Sequence, residues 1–146
     1  MENQLTELSV SYKPKKAAGP MINSSSDAYQ ILKDLFNADQ IELREEFIAL
    51  YLNRANRLKG WCQISVGGIS GTIADPRIIL SVALKTASSA IVLAHNHPSG
   101  NYTPSEEDLR LTKKIDESCR LLDIKLLDHL ILTRDGYSSF ADEGRI

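Results

Sequence analysis

The sequence predicts an α/β fold, a single domain in which a mixed β-sheet is flanked by helices. Stretches with apolar residues at helical spacing alternate along the chain with short dense apolar runs. Helix-opening signals stand at Ser24-x-x-Asp27, Asp75-Pro76 and Ser105-x-x-Asp108. The order helix, two strands, helix, strand, helix, strand mixes a hairpin with strands joined through helices, so the sheet should be mixed. At 146 residues the chain has room for one domain with a real core.

Residues 1–20 are polar, with lysines at 13, 15 and 16, and residues 1–24 read as a flexible tail ahead of a domain over residues 25–146. Ala28, Ile31, Leu32, Leu35 and Phe36 give residues 25–37 an amphipathic helix. Residues 45–53 form a dense apolar run suited to a central strand. A turn at 53–56 and a second strand over 57–66 complete a hairpin. Gly67, Gly68 and Gly71 mark a loop. Asp75 caps the next helix with Pro76 at its first position, and Ile79, Leu80, Ala83, Leu84 and Ala87 should face inward. Residues 89–94 read as a short buried strand. A long helix follows from Ser105 to about Leu122, with Leu109, Ile115, Cys119 and Leu122 inward. A strand over 125–133, a turn at 134–136 and a short strand over 137–140 end the chain.

Composition excludes several function classes. Seventeen basic and nineteen acidic residues leave a net charge of −2, so no global field holds a polyanion, and charge does not support DNA binding. No apolar stretch is long enough for a membrane span. The first ten residues have no apolar signal core. Cys62 and Cys119 form no ligand pair and read as free thiols. The expected location is the cytoplasm. Nothing in the sequence sets an oligomeric state.

Residues 95–108 carry the chemistry. His95 and His97 leave the end of a predicted strand two residues apart, so both imidazoles can aim at one point. Pro98 holds the exit extended, and the turn at Ser99, Gly100 and Asn101 brings the chain back. Asp108 lies on the first turn of the next helix. Two imidazoles and a carboxylate leave one position of a tetrahedral zinc open, as in catalytic rather than structural sites. The same set suits iron or manganese. Ser105 and Asp108 also have the form of a capping box, a purely structural role.

His95, His97, Ser105 and Asp108, in the spacing His-x-His-x7-Ser-x2-Asp, resemble the JAMM signature of the JAB/MPN metalloproteases. The surroundings resemble one branch, the RadC-like proteins: Glu45-Glu46-Phe47, Leu52-Asn53, the run from His95 to Gly100, Pro104-Ser105, Leu127-Asp128-His129 and Ser139-Phe140-Ala141. The resemblance covers roughly residues 25–146 and implies the JAB/MPN architecture, which is like that of cytidine deaminases. It implies one zinc held by His95, His97 and Asp108, an oxyanion hydrogen bond from Ser105, and a glutamate that moves protons. The matching glutamate is Glu45. Its neighbour Glu46 is the rival, since adjacent strand residues face opposite ways, and Glu42 lies before the strand. His129, alternating within the last long strand, is expected beside the metal ligands rather than among them.

The function this implies is a zinc-dependent hydrolase that cleaves a peptide, isopeptide or other amide bond in a peptide or protein substrate. The alternative is a DNA-repair-associated accessory domain without protease activity. RadC-like proteins carry a helix-hairpin-helix segment ahead of the metal domain, and residues 1–24 are too few for one. A zinc deaminase would need His-x-Glu and Pro-Cys-x-x-Cys, and neither is present.

Overall fold

Strand β3 (Ala90–Asn96) is buried at every position, the pattern of a strand covered on both faces. It pairs antiparallel with β1 (Glu46–Leu52) and parallel with β4 (Lys125–Thr133). β2 (Leu58–Val66) lies outside β1 and β5 (Gly136–Ser139) outside β4, both antiparallel, so the order is β2-β1-β3-β4-β5. This is the expected mixed sheet in one domain. The computed structural model describes residues 4–68 and 73–146. Gly71, expected in the glycine loop, falls outside them.

Side-chain alternation splits the core into two layers. Ile48, Leu50, Leu52, Val92 and Ala94 pack against Ala28, Leu32 and Phe36 of helix α1 (Ser25–Leu35) and the residue that follows it. Phe47, Ala49, Tyr51, Ile91 and Leu93 face the other way. They pack against Ile79 and Ala83 of α2 (Pro76–Lys85) and Ile115 and Cys119 of α3 (Glu106–Leu121). Each helix has its expected cap. The Ser24 side chain accepts from Asp27 N, the Asp75 carboxylate from Arg77 N and the Ser105 side chain from Asp108 N.

The structure departs from expectation in several places. The strand expected over 89–94 runs on to Asn96, because β1 and β4 continue to pair with it there, Phe47 and Ile131 both opposite His95. Leu84 and Leu122 are 55% and 41% exposed. Ala87 is also exposed and takes a positive φ of 50° just beyond the helix. The buried stripe of α2 is narrow, and both helices end before the last apolar residue assigned to them. Residues 19–22, placed in the tail by composition, join the domain. Gly19 N donates to Leu58 O, Leu58 N to Pro20 O and Ile22 N to Asn56 O. Ile22 is buried against the α1 layer. Among the described residues no helix is long and apolar enough to cross a membrane.

β4 contains a one-residue register shift against β3. Ile91 pairs with Leu126, but Val92 pairs with Asp128 and Leu93 with His129. Such a shift changes which residues face each side. Here it puts His129 on the α3 face with Leu93 and His95.

Leu50 is fully buried at the centre of β1. Leu50→Ala should lower unfolding free energy by about 2–5 kcal/mol in chemical denaturation. A loss below ~1 kcal/mol would contradict this packing.

Candidate metal centre

The layer alternation continues past the ends of the strands. His95 and His97 follow Ile91 and Leu93 onto the α3 face. His97 N donates to Leu132 O at 2.9 Å and so extends the ladder beyond Asn96. Glu45, two residues before Phe47, comes to the same face. Asp108 arrives from the first turn of α3. The ligand atoms of Glu45, His95, His97 and Asp108 all lie within 4.8 Å of one another. His95 Nε2 is 3.0 Å from His97 Nε2. Asp108 Oδ2 is 3.3 Å from His95 Nε2 and 3.2 Å from His97 Nε2. Glu45 Oε1 stands farther off, 3.8 Å from His95 Nε2.

Glu46 points the other way. Its side chain is buried and its Oε1 lies 3.5 Å from Arg44 Nε. Alternation therefore separates the two adjacent glutamates as the sequence requires. Glu42 pairs with Arg134 at 3.4 Å, outside the cluster. His129 is fully buried; its Nε2 is 2.7 Å from His95 Nδ1, and its ring stacks on Phe140 at 4.7 Å. Ser99 makes the turn, its Oγ accepting from Asn101 N.

Ser105 and Asp108 close a complete capping box. Asp108 N donates to Ser105 Oγ at 3.0 Å, and Ser105 N donates to Asp108 Oδ2 at 2.9 Å. The same Oδ2 faces both imidazoles, so the cap holds Asp108 in the rotamer that reaches the cluster. The structural and the chemical readings of this motif thus describe the same atoms.

Asn96 escaped the sequence reading. It lies between the two histidines and so faces the α1 side. Its Oδ1 accepts from Glu46 N at 2.7 Å, and its Nδ2 donates to Ile41 O at 2.8 Å and Arg44 O at 2.9 Å. These three bonds tie the turn before β1 to β3 and fix where Glu45 begins its approach. A buried amide rarely stands without such partners, but its partners lie about fifty positions away and only the fold reveals them.

The model of the RadC-like JAB domain matches residues 22–145. The chain belongs to the RadC-like JAB family. It is similar to a UPF0758 protein of Flavobacterium johnsoniae, 44% identical over 84% of this chain and 52% of the relative. It is similar to another of Aquifex aeolicus, 41% identical over 96% of this chain and 58% of the relative. A third, of Porphyromonas gingivalis, is 47% identical over 69% of this chain and 45% of the relative. This RadC-like JAB chain spans about half the length of the curated relatives it matches.

The donor set of the RadC-like JAB domain fits a metal ion. Ligand atoms of a tetrahedral ion with bonds of about 2.0–2.1 Å stand about 3.3 Å apart, close to the 3.0, 3.2 and 3.3 Å found here. His97 Nδ1 donates to Asn101 O at 2.6 Å. A neutral His97 therefore turns a bare Nε2 toward the cluster. Beside the cluster is a cavity of about 170 Å³ whose wall includes Glu45, Phe47, Ile73, Leu111 and Asp108. Larger cavities, of about 490 and 630 Å³, border α1 and the segment Tyr12–Lys16 and do not reach it.

Burial raises the Glu45 carboxyl above its usual range, and the neighbouring Asp108 adds to this against the pull of His95 and His97. For Asp108 burial works against the charge, but hydrogen bonds from His95 and His97 win and hold it well below the usual carboxylate range. For His97 burial opposes protonation, yet the Asp108 and Asn101 hydrogen bonds raise its pKa overall. Burial pushes His129 far below the ordinary imidazole value and keeps it neutral.

Protonated His97 cannot ligate, and its pKa in the metal-free state is raised, so protons displace the metal as pH falls. Zinc affinity should begin to drop at a pH above the ordinary imidazole value of ~6.5. Asp108 stays charged throughout that range. Competition titration against a chelator across pH checks this. Affinity independent of pH down to ~5 would exclude the imidazoles as ligands.

Proposed function

We propose that this chain is a zinc-dependent hydrolase of the JAMM type, cleaving a peptide, isopeptide or other amide bond in a peptide or protein substrate. The observation that carries the reading is the cluster itself. Two imidazole nitrogens and a carboxylate oxygen stand at tetrahedral-edge distances, with a second, partly buried carboxylate just outside them. A scaffold needs no such set, and burying it uncompensated would cost stability.

Bound zinc would supply a Lewis acid and lower the pKa of a water molecule from ~15.7 toward ~7. His95, His97 and Asp108 would hold it. Glu45 takes the proton from the attacking water. Its raised pKa brings it closer to the pH at which it must both accept and release a proton. It then hands that proton to the leaving amine. Ser105 accepts from the helix with its oxygen, and its hydroxyl proton remains available to the oxyanion, since a hydroxyl does both at once. The backbone around the cluster is tied by the Asn96 bonds and the capping box, so these groups are set before substrate arrives.

Glu45→Gln should keep zinc but lower turnover by about 10²–10⁴, read on any cleavable amide substrate at saturating zinc. Full activity in that variant would remove Glu45 from the reaction.

Ser105→Ala separates capping from catalysis. Loss of the cap should cost ~1 kcal/mol of stability, while loss of an oxyanion donor should cut turnover by roughly a hundred- to a thousandfold. Wild-type turnover with a slightly lower melting temperature would leave Ser105 as a helix cap alone.

A further inference from the structure

Behind His95 runs a buried chain of polar contacts that ends on α3. His95 Nδ1 is 2.7 Å from His129 Nε2, His129 Nδ1 is 2.7 Å from Thr112 Oγ1, and Thr112 Oγ1 is 2.7 Å from the backbone carbonyl of Asp108. Thr112 and both rings are buried. The last contact sets the direction of all the others. A carbonyl oxygen only accepts, so the Thr112 hydroxyl gives its proton to Asp108 O. Its oxygen must then accept from His129 Nδ1–H. The neutral His129 ring is left with a bare Nε2, which accepts from His95 Nδ1–H. A neutral His95 then has a bare Nε2, the nitrogen that faces His97 and Asp108.

We infer that Thr112 is a positioning residue whose hydroxyl, acting through His129, locks His95 in the tautomer that can ligate metal. The inference rests on reading the cluster as a metal site. In the opposite arrangement the Thr112 hydroxyl would donate to His129 Nδ1, His129 Nε2–H would donate to His95 Nδ1, and His95 Nε2 would carry a proton and no lone pair. The bond to Asp108 O opposes that state. Packing holds the relay in place: the His129 ring makes a T-shaped contact with Phe47 at 5.5 Å and stacks on Phe140 at 4.7 Å. Thr112 and Asp108 sit one turn apart on α3, so one helix supplies both a ligand and the group that sets the tautomer of another.

Thr112→Val keeps the branched shape and removes the hydroxyl. Buried groups behind a ligating histidine are typically worth about 10–100-fold in metal affinity, and the Kd for zinc should rise by that factor. Thr112→Ser should restore it to within a few-fold. Leu50→Ala, which lowers stability away from the cluster, should leave the Kd unchanged and so separates a tautomer effect from general loosening. Wild-type zinc affinity in folded Thr112→Val would overturn the inference. If that variant does not fold, 15N imidazole spectra of the wild-type chain decide instead. Protons on Nδ1 of both His95 and His129 are expected with zinc and without it at a pH where both rings are neutral. A proton on His129 Nε2 would overturn the inference. If the wild-type chain binds no zinc, the metal reading falls, and the zinc-free spectra still decide the relay on the same criterion.

Discussion

The two-residue alternation of β3 sets both the layers of the core and the direction of the site's side chains. The strand is central and buried on both faces, so every side chain must suit one of two layers. Ile91 and Leu93 fill the α2/α3 layer, and the same phase carries His95 and His97 to its open end. Val92 and Ala94 fill the α1 layer, and their phase carries Asn96 to the turn before β1. A slip of one residue would turn Asn96 toward the cluster and aim both imidazoles at α1. The core registers the strand, and the strand registers the site. The same logic selects Glu45 over Glu46 on the neighbouring strand, since Phe47 and Ala49 already fix which face is which.

A second dependence links helix capping to the cluster. Asp108 must accept from Ser105 N to close α3 and must also present Oδ2 to His95 and His97. The helix N-terminus favours its negative charge, and the imidazoles favour it further. Negative charge gathers here because the fold supplies donors for it. The buried Asp128 carboxylate is similarly matched. Asp128 accepts from His129 N, Ala141 N and Ser139 Oγ, and so ties β4 to the end of β5 behind the histidine ring. Unpaired, each such group would cost on the order of 1–3 kcal/mol.

Much of this was legible in the sequence because it is local. Capping residues, the strand-end His-x-His and the apolar periodicities act within a few positions, and α1, α2, α3 and all five strands stand close to where those signals put them. The family resemblance pointed to Glu45, and the structure brings it to the histidines. What the sequence withheld depends on pairing across the fold. The extension of β3 to Asn96 needs two neighbours to continue alongside it. The register shift in β4 decides which face His129 takes, and no composition signal marks it. Asn96 and Thr112 look like an ordinary loop amide and an ordinary helix threonine until Arg44, Ile41 and His129 are set beside them. Leu84, within α2, and Leu122, just past the end of α3, continue the apolar pattern but stand in solvent.

One metal ion held between His95, His97 and Asp108, with Glu45 beside it, would explain why the four gather at one spot. Crystals of the chain grown with zinc, measured on both sides of the zinc absorption edge, test it most directly. The expected result is one strong anomalous peak between His95 Nε2, His97 Nε2 and Asp108 Oδ2, with Glu45 beside it and outside bonding distance. A map with no peak there, or with zinc held elsewhere on the chain and those side chains empty, would contradict it.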